Sequence, residues 1–106
     1  MTSFPKSSTR IGQGAGDDPL AAAFQYEAAA DMAVSLGMAG RRVEAALAAL
    51  RRTARDDPSR PDRLKDAARA VHAYFIQREL IGLRRHDALI REMGIPREVL
   101  VRLGAC

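Results

Sequence analysis

The chain has 106 residues, 47% of them apolar but only 5% aromatic and none of them Trp, so it makes one domain whose interior rests on alanine and aliphatic side chains. A net charge of +4 and a pI near 10.0 raise the question of a polyanionic partner, but the basic residues alternate with Asp57, Asp62, Asp66, Asp87 and Glu92, the pattern of a solvated surface. The single cysteine, Cys106, excludes an intrachain disulfide and a zinc-binding cysteine cluster, and reads as an incidental thiol. The N-terminal residues lack the apolar core of a secretory signal, so none is expected, and Glu27 and Asp31 interrupt the Ala-rich stretch before it could span a membrane, so the expected location is the cytoplasm.

Residues 1–16 are rich in Ser, Thr and Gly and have no periodicity, which predicts a disordered tail ahead of a single helical domain over 17–104. Asp17 and Asp18 precede Pro19, the arrangement of a helix N-cap with proline in the first turn. From there an apolar stripe runs through Leu20, Phe24, Ala28, Met32, Leu36, Ala39, Val43, Leu47 and Leu50. Its steps of three and four residues are those of an α-helix and not of a strand. The stripe passes through Gly37 and Gly40 without interruption, which predicts one helix over about 19–54. The competing reading is a short connection near 37–40 joining two antiparallel helices. A row of small residues, Ala22, Ala29, Ala33, Gly37 and Gly40, would let a second backbone approach closely and explain why glycines are tolerated at about 1 kcal/mol each.

The segment Asp56-Asp57-Pro58-Ser59-Arg60-Pro61 is the clearest turn, with Ser59 placed to cap the next helix and Asp62 three residues on. A second helix is predicted over 60–93. Its apolar positions, among them Val71, Phe75, Ile76, Leu80, Ile81, Leu83 and Ile90, cover too wide an arc for one contacting helix, so this helix needs two partners. Gly94 ends it, and Pro96 opens a short third helix over 96–103 with Val99, Leu100 and Leu103 inward and Glu98 spaced to pair with Arg102.

Candidate sites are few. His72, Glu79 and His86 stand seven apart on the predicted second helix, a separation of about 10.5 Å per step that is too long for a shared metal. No nucleophile–base constellation or phosphate loop is legible, so neither an enzyme nor a cofactor is expected. The segment Asp87–Leu103 has the outline of a degenerate helix-turn-helix. With Arg41, Arg42, Arg97 and Arg102 it supports an alternative reading as a nucleic-acid-binding protein. Ile90 is bulkier than that motif prefers, and the second helix is short.

Three stretches, Arg41-Arg42-Val43-Glu44-Ala45-Ala46-Leu47, Phe75-Ile76-Gln77-Arg78-Glu79 and Gly94-Ile95-Pro96-Arg97-Glu98-Val99-Leu100, resemble a family of small all-helical bacterial proteins of unknown function. The resemblance implies an all-helical fold and carries no activity. The reading that follows is all-α: two long antiparallel helices and a short C-terminal helix, completed as a bundle by dimerisation. The expected function is that of a non-enzymatic protein–protein interaction module forming a homodimer through Ala33, Gly37, Gly40, Phe75, Ile81 and Leu83.

Overall fold

The computed structural model describes residues 18–103. The predicted tail over 1–16, Asp17 as a capping partner, the Gly104 stop and Cys106 lie outside the described residues. Every regular element among the described residues is a helix: α1 (Pro19–Arg51), α2 (Arg60–Leu80), α3 (Asp87–Met93) and α4 (Arg97–Leu100). The chain divides into two units between Val34 and Ser35.

Helix α1 is continuous through Gly37 and Gly40, as the stripe requires. Asp18 starts it: its Oδ1 accepts from the Leu20 N–H at 3.0 Å, and its carbonyl takes the Ala22 N–H at 2.9 Å. It ends at Arg51 and not near 54. There the Thr53 N–H turns to the Leu50 carbonyl (3.0 Å), and the Thr53 hydroxyl donates to that of Ala49 (2.8 Å).

In the first unit, residues 18–34, no described residue is buried. In the second, α1 contributes Ala39, Val43, Leu47 and Leu50 to a core in which Val43, Ala67, Ala68, Val71 and Val99 have no exposed surface. Ala67 and Ala68, with no side chain beyond Cβ, take little room in a core of mainly aliphatic groups around Phe75, and the closest backbone contact between helices is that of α2 with α4. Gly40 also leaves room: a Cβ there would stand 3.3 Å from the Tyr74 ring, so the glycine is what lets Tyr74 of α2 lie on α1. With Gly40 at Tyr74 and Thr53 bonded to Arg60, the two helices run antiparallel within this unit.

The turn is capped by a different residue from the one expected. Ser59 makes no side-chain cap to α2. Instead Asp57 Oδ1 accepts both the Ser59 N–H (2.8 Å) and the Ser59 hydroxyl (2.7 Å), and the Asp57 carbonyl receives the Arg60 N–H (3.0 Å). Aspartate wins because one ionised oxygen satisfies two donors at once.

The predicted 60–93 helix is in fact two. Gly82 adopts φ +96°, its N–H bonds to the Glu79 carbonyl (3.0 Å), and the Leu83 N–H reaches the Arg78 carbonyl (2.9 Å). That is a left-handed glycine stop with a following apolar residue. The same device recurs at Gly94 (φ +66°), with Gly94 N–H on Arg91 and Ile95 N–H on Ile90. Each stop turns the chain, so α3 and α4 return to α2. Ile95 and Val99 then enter the core, and Leu89, Ile90, Met93, Leu100 and Leu103 pack against it. The second partner that the wide arc of α2 demands is therefore its own C-terminal segment. Helix α4 is shorter than predicted, four residues followed by turn bonds to Leu103.

Two substitutions test these turns. In an unbroken helix, Gly82→Ala would stabilise by about 1 kcal/mol. In the left-handed stop it destabilises by about 1–2 kcal/mol, for conformational reasons alone, because a Cβ there meets nothing within 4 Å. Urea unfolding reads the sign. For Asp57, the Ser59 hydroxyl first and the Ser59 N–H second hold the carboxyl below the ordinary 3.8. Its contribution to stability is therefore present above the unfolded value and is lost as pH falls through the folded one. An NMR titration is expected to find the Asp57 midpoint below 3.8 in the native chain and higher in Ser59→Ala; equal midpoints would contradict the turn.

Candidate functional site

Two uncovered faces and one polar cluster stand out. On α1, steps of 4, 3, 4 and 3 residues set Leu20, Phe24, Glu27, Asp31 and Val34 on one side of the helix. All five are exposed, Leu20 at 81% and Phe24 at 72%. This face mixes large apolar groups with two carboxylates. Ala33 and Gly37 are exposed too, and Gly37 has ordinary room for a Cβ beside Arg41.

On α2, Arg69, Ala73, Ile76 and Leu80 share an outward face by the same spacing, and all are exposed. Leu80 is 78% exposed; Ile81 and Leu83, in the glycine turn, are less so. Arg84 and Arg85 follow, both exposed.

Of the residues expected at a dimer interface, Ala33, Gly37, Ile81 and Leu83 are accessible. Gly40 is half-buried under Tyr74. Phe75 is a correction: it is buried in the core, with its ring stacked on His86 at 4.0 Å between centroids. The break at Gly82 is the cause, because it folds His86 back over Phe75 where an unbroken helix would carry it away.

The same fold-back overturns the 10.5 Å spacing argument. His86 Nε2 lies 2.9 Å from Glu79 Oε2, and Arg78 Nε–H donates to His86 Nδ1 at 3.2 Å. Arg78 also donates to the Arg85 carbonyl (3.1 Å), and its guanidinium stands 5.9 Å from the Tyr74 ring centroid. A donor on Nδ1 requires the proton on Nε2, which then donates to Glu79. Both ring nitrogens and one ring face of His86 are thus occupied, and the cluster is a clasp across the α2–α3 turn. His72 is exposed and takes no part in these contacts. Among the described residues no group of three or more His, Cys, Asp or Glu side chains is placed to hold a metal ion.

Of the candidate nucleic-acid contacts, Arg41 and Arg42 are exposed and line a shallow concavity of about 370 Å³ with Met38 and Ala45. Arg97 and Arg102 are exposed on the last segment. Beside them, Glu98 is held by Arg60 at 2.6 Å. A family model described as a family of unknown function (DUF6665) matches residues 7–106. The chain belongs to this family. As in the resemblance read from its sequence, the family brings no activity with it. No curated protein and no solved structure matches the chain.

The acidic–apolar face of α1 is masked in the sequence by the longer apolar stripe through Phe24, Ala28 and Met32. The 4-3-4-3 spacing of Leu20, Phe24, Glu27, Asp31 and Val34 was the available signal. Nor does the sequence single out the arginines that serve the turns. Arg51 donates to the Met93 and Gly94 carbonyls, each at 3.1 Å, and Arg60 donates to the Thr53 carbonyl at 2.9 Å.

The clasp makes a spectroscopic prediction. Under alkaline conditions, where the imidazole is neutral, long-range ¹H–¹⁵N spectra are expected to show His86 in the Nε2–H tautomer and Arg78→Met to relax that preference. A native Nδ1–H tautomer would contradict the Arg78 contact.

Proposed function

We propose that this chain is a non-catalytic helical interaction module that works as a homodimer. The observation that carries this reading is the uncovered face of α1. Residues 18–34 form helix without burying a single described residue, while Leu20 and Phe24 stand almost fully in water. Most helical stability in proteins comes from packing an apolar face, and this stretch of α1 buries none of its apolar residues. An apolar face of this kind on a soluble chain marks an interaction surface. A second copy is the simplest source of cover, since two-fold dimers are the commonest assembly.

The non-catalytic part of the reading is supported by the state of the one histidine that meets other polar groups. His86 is engaged at both nitrogens and stacked on Phe75, so its ring is committed to holding a turn. Interaction with nucleic acid is the weaker alternative. Helix α4 has four residues, too short to read a groove as a recognition helix does, and Glu98 within it is tied to Arg60. No helix among the described residues is long and apolar enough to cross a membrane.

Sedimentation equilibrium at about 100 µM is expected to give twice the chain mass, that is, twice 11.5 kDa. Leu20→Asp with Phe24→Asp is expected to shift the equilibrium to monomer while circular dichroism keeps the signal of the second unit. A native chain that sediments as a monomer contradicts the reading. Tight binding of random duplex DNA that weakens steeply with salt would favour the alternative.

A further inference from the structure

The homodimer reading leaves open which surfaces meet, and the distribution of charge addresses that question. Residues 18–34 contain Asp18, Glu27 and Asp31 and no Lys or Arg. Residues 35–103 contain fifteen Lys or Arg against nine Asp or Glu, a net of +6. The two uncovered faces follow the same division. Glu27 and Asp31 lie within the apolar face of α1, whereas Ala73, Ile76 and Leu80 on α2 lie between Arg69 and the Arg84–Arg85 pair, all of them exposed. Of the other charges nearby, Arg78 and Glu79 are spent on His86, and Asp66 and Asp87 stand exposed beyond Arg69 and Arg85, which leaves the three arginines in excess by one.

Resting on the homodimer reading, we propose that the two copies pair by exchange. The acidic–apolar face of residues 18–34 of one copy lies on the basic–apolar α2 face and glycine turn of the other, and the two-fold axis makes the same contact a second time. Pairing two α1 faces with each other would set Glu27 and Asp31 of both copies against one another, with no basic side chain in either segment to answer them, a juxtaposition that costs affinity and rejects that partner. Exchange removes the conflict, since the carboxylates meet the arginines. It also covers Leu20, Phe24, Ile76 and Leu80, four of the large apolar groups exposed in the single chain. The sizes agree: Leu20 to Val34 spans about 21 Å of helix, and Arg69 to Leu80 spans about 16 Å before the turn residues add to it.

Charge reversal on exposed side chains tests the exchange with little risk to folding. One variant carries Glu27→Arg and Asp31→Arg, the other Arg69→Glu and Arg84→Glu; each is checked for helix by circular dichroism. Each alone is expected to dissociate at least about ten-fold more readily than the native dimer at low salt. Mixed in equal amounts they are expected to recover native affinity as a heterodimer, seen by native mass spectrometry, because both contacts are then complementary. If the native chain dimerises but Arg69→Glu with Arg84→Glu changes nothing, exchange is overturned and the homodimer stands. If Glu27→Arg with Asp31→Arg pairs more tightly with the native chain than the native chain does with itself, and the α2 variant remains native-like, the α1 faces meet each other and exchange is again overturned. A monomeric native chain removes both readings.

Discussion

The second unit depends on the one dry core that α1, α2 and the C-terminal segment share, where Val43, Ala67, Ala68, Val71 and Val99 have no exposed surface. Val43, Leu47 and Leu50 of α1 and the alanines Ala67 and Ala68 of α2 all belong to it, α2 and α4 make the closest backbone contact, and Gly40 gives the Tyr74 ring room to lie on α1. Such a core is dry but thin, and it brings little volume per residue. The remaining aliphatic groups come from the C-terminal segment, with Ile95 and Val99 closing the core from the other side. Large apolar groups remain exposed in both units, among them Leu20 and Phe24 in the first and Ile76, Leu80 and Val101 in the second.

Bringing the C-terminal segment back requires two reversals, and each reversal leaves backbone groups to satisfy. Glycine in the left-handed region solves the local part at Gly82 and Gly94. Arginines solve the longer-range part. Arg51 takes the Met93 and Gly94 carbonyls, Arg60 joins the Thr53 carbonyl to Glu98, and Arg78 joins the Arg85 carbonyl to His86. The planar guanidinium suits this role because it offers several donors in fixed directions and remains charged. Part of the positive charge of the chain is therefore spent internally on carbonyls. Arg69, Arg84 and Arg85 present their charge outward beside an apolar face.

The helical class, the continuity of α1 and the turn at 56–61 were legible because periodicity and proline placement are local signals. The break in α2 was not. Gly82 reads like Gly37 and Gly40, glycines that a helix tolerates, and only the following Leu83 and the parallel with Gly94-Ile95 distinguish it. The break at Gly82 separates several expectations from the fold, because one unbroken helix over 60–93 has other consequences. Such a helix extends the arc of α2, leaves Phe75 open to a partner, and sets Glu79 and His86 a full two turns apart, whereas the fold brings them to 2.9 Å. The need for a second partner on α2 was read correctly, but the residues that supply it, Ile95 and Val99, belong to the same chain. The large apolar groups left exposed are therefore found mainly on α1 and at the end of α2.

The central claim is that the helix over residues 19–34 owes its cover to a second molecule. Amide hydrogen exchange followed across dilution tests it directly, because it reports local stability residue by residue. Protection at Leu20–Val34 is predicted to rise with protein concentration, while protection at Val43–Leu50 stays level. Protection of Leu20–Val34 that is the same at every concentration would contradict the account.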